Sequence, residues 1–367
     1  MLLYCIFIVL TISALFKWGT MHVTSRGESY FIKTPVLAGM AIFTLWVGLR
    51  YNMKSDPDFD GYWDIVESGS SNFYYDHFEI IPRLCIDLVY NYRLPTSVWF
   101  ILMGAFLAVF TTIAARRNNG KHLVWVFISF ILLYLTFDMN VIRQGIALSA
   151  MLCAFTYISE RKWKHYLCFA ILAFCFHRTS IVWVPMYLLT YLDLEKNAVK
   201  KYFIAILVIA VIMTSLLYFM SMFSFVFNIM QMEDKLQYRL QGGTITEIIE
   251  VRSGLGIALR YVRWLVVCYY ISKIMKYHSN RNELHILFMI FIMGVVLDYF
   301  TMYEIGLSRS TLYAQIVEIL LLPYLVEYCK LRKKDYQLLL FVLIFQFVIL
   351  GYQIGLYFSR WDVVSIL

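Results

Sequence analysis

Residues 122–159 read HLVWVFISFILLYLTFDMNVIRQGIALSAMLCAFTYIS. Two apolar runs, 122–137 and 141–158, flank the polar break Asp138-Met139-Asn140. Allowing for tilt or slight shortness, each suits a helix across a bilayer core of roughly 30 Å. Arg143 falls about one turn into the second run, where a charge is costly unless it is paired or faces water. Asp138 lies five residues earlier, a poorer helical match than a spacing of three or four. Arg143 therefore reads as a functional residue, beside Gln144 and ahead of the small-residue helix Gly145-Ile-Ala-Leu-Ser-Ala150.

The whole chain follows the same pattern. Of its 367 residues 61% are hydrophobic, 18% aromatic and 15% charged, and the mean hydropathy is +0.68. A soluble globular protein has an apolar share near half, so the expectation is an all-α integral membrane protein. About twelve spans are expected, at 2–16, 35–49, 96–114, 122–137, 141–158, 164–177, 179–191, 202–220, 259–275, 284–300, 309–328 and 336–355. They form a single polytopic domain over 1–367 with no repeat at a fixed period. The opening run lacks a basic leader and a cleavage signal, so it reads as a retained first span. Seven cysteines lie mostly in apolar segments without a C-x-x-C pair, which points to core packing and to neither zinc nor disulfides.

Basic residues mark alternate connections: Lys17, Arg26 and Lys33; Arg116, Arg117 and Lys121; Arg161, Lys162 and Lys164; Lys196, Lys200 and Lys201; Lys273, Lys276 and Arg281; Lys330, Arg332, Lys333 and Lys334. The positive-inside rule makes these six loops cytoplasmic and puts both termini outside. The formal charge of +8 is thus spread between spans, with no basic face for nucleic acid. The cytoplasmic set holds thirteen lysines and six arginines, while the other thirteen basic residues are eleven arginines, Lys54 and Lys235. Lysine suffices to fix topology. Arginine presents a planar fork matched to phosphate and carboxylate oxygens, so the outer side is expected to hold an anion.

The two long connections, 50–95 and 221–258, are both extracytoplasmic on this reading, and loops of that length usually carry function. The first is rich in acids and aromatics, a mixture suited to stacking sugar rings or to an interfacial belt. Its stretch Ser55–Glu67, SDPDFDGYWDIVE, matches the ligand positions of an EF-hand calcium loop. Flanking helices are not expected there and Pro57 sits at the second loop position, so no metal or other cofactor is inferred. The acids serve better to orient arginines or bind hydroxyls.

A second polar cluster, Phe176-His177-Arg178-Thr179-Ser180, stands at the junction of two spans. A histidine beside an arginine is expected to have a lowered pKa and to accept a proton. Arg309 opens an outer-to-inner span, Arg260 and Arg263 begin another, and Arg50 ends the second. Each alone reads as a snorkelling interfacial residue; all lie on the outer face. The chain contains no G-x-x-x-x-G-K-[ST], no G-x-S-x-G, no H-E-x-x-H and no cytoplasmic D-x-D. Glu318, inside an apolar span, suits a proton relay or a transporter.

Taken in order, Leu49-Arg50-Tyr51, Asp58-Phe59-x-x-Tyr62, Phe78-Glu79-Ile-Ile-Pro82, Ile142-Arg143-Gln144-Gly-Ile-Ala147, Phe176-His177-Arg178-Thr179-Ser180 ahead of Pro185, and Arg309 with Pro323 resemble the EpsG family of Wzy-like polysaccharide polymerases. The likeness runs from about residue 35 to 325 and departs at Met53-Lys54-Ser55, where the family has a valine-glycine turn. The resemblance implies a GT-C-like membrane glycosyltransferase of the bacterial inner membrane, active at the periplasmic face, that makes O-antigen, capsule or exopolysaccharide. It implies transfer of a growing glycan from undecaprenyl diphosphate to a hydroxyl of the next lipid-linked repeat, without a metal. Arg143, Arg178 and Arg309 would hold the diphosphate, with Arg50, Arg260 and Arg263 as helpers and Gln144 as a positioner. His177, Asp58 and Glu79, in that order, would serve as base. The partners would be the undecaprenyl-diphosphate-linked oligosaccharide, membrane lipid and a chain-length regulator. A flippase or other anion transporter, an O-antigen ligase, an acyltransferase and a purely structural membrane partner are the rival readings. Transporters concentrate charge near the midplane, whereas these clusters line one boundary.

Overall fold

The structure is a computed structural model that describes residues 22–23, 29–30, 40–45, 57–119, 126, 129–130, 141–191, 254–277, 282–301 and 305–331. The expected spans 2–16, 202–220 and 336–355, and almost all of 122–137, lie outside them. Apart from an antiparallel pairing of β1 (His22–Val23) with β2 (Ser29–Tyr30), regular structure among the described residues is helical.

The stretch 55–67 departs from the expected loop. It forms most of α1 (Pro57–Ser68). The reason is amphipathicity: Phe59, Tyr62, Ile65 and Val66 fall on one face and are buried, while Asp60, Asp64 and Glu67 face outward. Phe59 stacks on Phe100 at 4.7 Å, and Tyr62 meets Phe78 edge-on at 5.7 Å. Burying a ring of this size stabilises the fold by about 2 kcal/mol. Asp60, Asp64 and Glu67 thus line one outward face of a helix and do not curl into a twelve-residue loop as EF-hand ligands do. The expected long connection 50–95 also contains α2 (Ile80–Asn91). Tyr75 of the intervening turn donates to Asp87 of α2. Burial, then the Asp87 carboxylate, pushes the Tyr75 phenol up to about 12, so it remains a donor across the physiological range.

Helix α3 (Ser97–Asn119) matches the expected span 96–114, and Trp99 at its start donates to the Pro82 carbonyl of α2 at 3.2 Å. Helix α4 (Ile142–Phe155) is buried on every side except at Arg143, the mark of a central element. Its small residues let α3 and α5 (Trp163–Phe176) approach closely. Ser149 hydrogen-bonds Thr111 at 3.1 Å and the Cys153 thiol donates to the Phe110 carbonyl. At the C-terminal end of α4, Arg117 donates to Thr156 at 3.1 Å and to Glu160 at 2.5 Å while stacking on Tyr157. Lys162, with Arg117, holds the Glu160 carboxyl below the ordinary range. This ion-paired corner lies roughly 20 Å from Arg143, one helix length away.

Residues Arg178–Tyr191 form a 3-10 helix, not the α-helix expected over 179–191. Pro185 lies inside it and supplies no N–H. The Tyr166 hydroxyl from α5 stands 3.0 Å from the carbonyls of both Trp183 and Val184. Helices α6 (Gly254–Tyr277) and α7 (Asn282–Thr301) cover the expected spans 259–275 and 284–300. The expected span 309–328 is instead two helices, α8 (Ile305–Gln315) and α9 (Glu318–Leu331). At the break the backbone bonds tighten: Ile316 N–H still reaches four residues back to Leu312, but Val317 reaches only three, to Ala314. Two described helices, over Ser97–Arg117 and Asn282–Tyr299, are long and apolar enough to cross a membrane; Ile142–Phe155 and Trp163–Phe176 are shorter apolar helices.

Helices α7 and α8 meet at Gly294, where an added Cβ would lie 2.7 Å from the Ala314 Cβ and 3.0 Å from the Gln315 backbone nitrogen. Backbone cannot step aside as a side-chain tip can. Gly294→Ala is expected to destabilise the protein by about 1–3 kcal/mol, read as a lower melting midpoint of purified protein; an unchanged midpoint would show that this contact does not hold the two helices together.

Candidate functional site

Three elements begin or end at one pole of the central helix and carry the polar residues expected to act. Arg143 lies in the first turn of α4, with Nη1 donating to Glu79 Oε2 at 2.6 Å and to the His77 carbonyl at 3.3 Å. Its guanidinium carbon lies 4.1 Å from the centre of the Phe78 ring and 5.7 Å from that of Tyr62, a favourable cation-π setting. Glu79 immediately precedes α2, where the helix dipole favours a carboxylate. It is 7% exposed. Its second oxygen accepts from the Arg178 backbone N–H at 3.3 Å, so this one side chain joins α2, α4 and the start of the 3-10 helix.

His177 ends α5 in extended geometry while its N–H still bonds Ala173. Its Nδ1 is 2.7 Å from the Thr179 hydroxyl, which is 3.1 Å from the Tyr313 hydroxyl of α8. Both partners are buried. The charges of Glu79, Arg143, Arg309 and Arg178 all act on His177. Arg309 is exposed on α8. Its carbonyl accepts from the buried Gln144 side chain at 2.9 Å, and the next carbonyl, Ser310, accepts from Trp183 at 2.7 Å. Gln144 thus fixes α8 against α4 by holding main chain.

Residues 143, 144, 177, 178 and 309, together with Glu79, therefore form one constellation. Arg260 and Arg263 stand in another. Arg260 faces Asp298 of α7 at 3.7 Å, and Arg263 reaches Glu318 of α9 at 3.0 Å. Asp298 also accepts from Tyr261 and Thr311, each at 3.3 Å, and Gln315 donates to Thr311 at 2.7 Å. This second network laces α6, α7, α8 and α9 together. Arg50 and Asp56 lie outside the described residues, as does the side chain of Asp58.

Tyr313, Trp183 and Asp298 join these networks without having been expected from the sequence, and Thr179, part of the polar cluster read there, gains a specific partner in His177. Asp298 carries a usable signal, an acid inside an apolar span; the spacing of Thr311 and Gln315 by four on one helix face carries another. No group of three or more His, Cys, Asp or Glu side chains able to hold a metal occurs among the described residues.

Chemically, the first constellation offers guanidinium charge from three separate segments, a carboxylate that orients one of them, and an imidazole on a hydroxyl chain. Such a group can stabilise a departing anion and take up a proton. A family model described as the EpsG family matches residues 35–358, which is most of the chain. No curated protein and no solved structure matches it.

Proposed function

The chain belongs to the EpsG family, and on that footing we propose that it is a polysaccharide polymerase of the bacterial inner membrane, with about twelve spans in a GT-C-like arrangement. It lengthens O-antigen, capsule or exopolysaccharide at the outer face. The observation that carries this reading is the Glu79 carboxylate, which binds the Arg143 guanidinium and the Arg178 main chain next to His177, with the Arg309 main chain tied to α4 through Gln144. These arginines come from three distant segments, and the sequence leads one to expect each of them to face an anion.

In the reaction, the anomeric C–O bond to undecaprenyl diphosphate breaks and the diphosphate departs with the bonding electrons. A hydroxyl of the next lipid-linked repeat forms the new glycosidic bond and gives up its proton. Arg143, Arg178 and Arg309 offset the charge that grows on the leaving diphosphate, the work a divalent cation does elsewhere. Glu79, with both oxygens engaged, orients Arg143 and the start of the 3-10 helix. His177 is the base: the Thr179 hydroxyl, 2.7 Å from Nδ1, holds the imidazole in place for proton uptake.

Purified protein in lipid, given only lipid-linked repeat units, is expected to produce a ladder of longer lipid-linked glycans. One undecaprenyl diphosphate should be released per unit added, without nucleotide sugar or ion gradient. The network of Arg260, Arg263, Asp298 and Glu318, buried among helices, is the feature a transporter would use. Movement of repeats across the bilayer without lengthening would favour that reading and refute polymerisation.

A further inference from the structure

The outer connection holds an open cleft of about 460 Å³ that the reaction above does not use. One wall is the wet face of α1, with Gly61, Asp64 and Ser68; the other is the turn that follows, with Asn72, Phe73 and Tyr74. Phe73 is 82% and Tyr74 59% exposed, their rings edge to face at 5.2 Å. Two bare rings beside an amide, facing a carboxylate and a hydroxyl, make an amphipathic surface. That is the chemistry of a pyranose, whose C–H face stacks on aromatic rings while its hydroxyls hydrogen-bond at the rim.

Gly61 supplies a separate observation. It lies within α1, where glycine weakens a helix relative to alanine. Its backbone is ordinary helix, and an added Cβ would meet nothing within 4 Å. Neither strain nor packing accounts for it. On the cleft wall, its effect is to keep the space open.

The cleft also connects to the arginines. Tyr74 lies 5.9 Å from the His77 ring, and the His77 carbonyl accepts from Arg143. An interfacial aromatic belt would account for Phe73 and Tyr74, but not for a carboxylate across the cleft from them or a glycine that clears room. Asp64 has no ion-pair partner among the described residues.

We propose that this cleft is a saccharide subsite, in which Phe73 and Tyr74 stack one sugar of a repeat unit and Asp64, Ser68 and Asn72 bind its hydroxyls, placing the glycan beside Arg143. The proposal rests on the polymerase reading for the glycan's identity. The test uses full-length purified protein and lipid-free repeat-unit oligosaccharides, cut by mild acid from the polymer of the host cell, with binding followed by saturation-transfer NMR and titration. Wild type should bind. Phe73→Ala with Tyr74→Ala should weaken binding by about tenfold or more, and substitutions at Gly61 should weaken it progressively from Ala through Leu to Phe. All these positions are exposed, so the melting midpoint should hold. No binding by wild type, or equal affinity for wild type and Gly61→Phe, would overturn the subsite. So would strong quenching by brominated lipid of the emission that Phe73→Trp adds to that of the nine native tryptophans, which would place the ring in the bilayer. The probe carries no diphosphate, so its binding is independent of the arginines: a protein that binds it yet never lengthens lipid-linked repeats would sink the polymerase reading and leave the cleft standing.

Discussion

Cells whose only copy carries Arg143→Lys are expected to make about 100-fold less polymer, with protein level and melting midpoint close to wild type. The charge survives this change; the fork does not. Arg143 simultaneously donates to Glu79 and the His77 carbonyl and lies over Phe78. A lysine ammonium reaches one of these at a time and is more strongly hydrated. A group that must present donors to a diphosphate while held by a carboxylate needs the planar geometry. The measurement is polymer on a gel beside an immunoblot of membranes. Wild-type polymer from Arg143→Lys would refute the assignment. If Arg143 mattered only as a partner for Glu79, the neutral pair Arg143→Met with Glu79→Gln would restore polymer; the leaving-group role predicts that it does not.

The second large effect falls on stability. Glu318→Leu is expected to cost about 3–5 kcal/mol, because it strands the Arg263 charge, 9% exposed, among buried apolar side chains. The variant should melt well below wild type and accumulate poorly. Replacing both partners, Arg263→Met with Glu318→Leu, should recover most of that loss, since two well-packed apolar residues avoid the desolvation penalty. The readout is the melting midpoint of each purified variant. If the double variant melts normally yet lengthens no glycan, Arg263 belongs to the reaction, as its place in the sequence suggests. If it melts normally and lengthens glycan, the pair serves the fold alone.

The distribution of arginines is legible in the sequence because it depends on local patterns: a charge one turn into an apolar run at Arg143 and a polar junction at His177-Arg178; Arg309, expected to open a span, lies instead inside α8, which begins at Ile305. What joins these arginines is not legible. Glu79 lies 64 residues from Arg143 and 99 from Arg178, and a contact at that separation leaves no periodic trace. For the same reason the sequence does not disclose that Arg260 and Arg263 have acidic partners on α7 and α9. The acidic stretch misleads in a more instructive way. Its acids satisfy a loop pattern by spacing, yet Phe59, Tyr62, Ile65 and Val66 satisfy a helix by period, and burial of the apolar face decides. The break between α8 and α9 has no glycine or proline to announce it.

The hydrogen bond from Gln144 to Arg309 ends on a carbonyl, not on the guanidinium. Any residue except proline at 309 presents that same carbonyl, and the neighbouring anchor, from Trp183 to Ser310, is also main chain. Charge and architecture are therefore independent variables at this position. At 143 they are one variable, because the guanidinium that would meet substrate also binds Glu79 and the His77 carbonyl. Position 309 is where the electrostatics of the site can be titrated residue by residue without disturbing its scaffold.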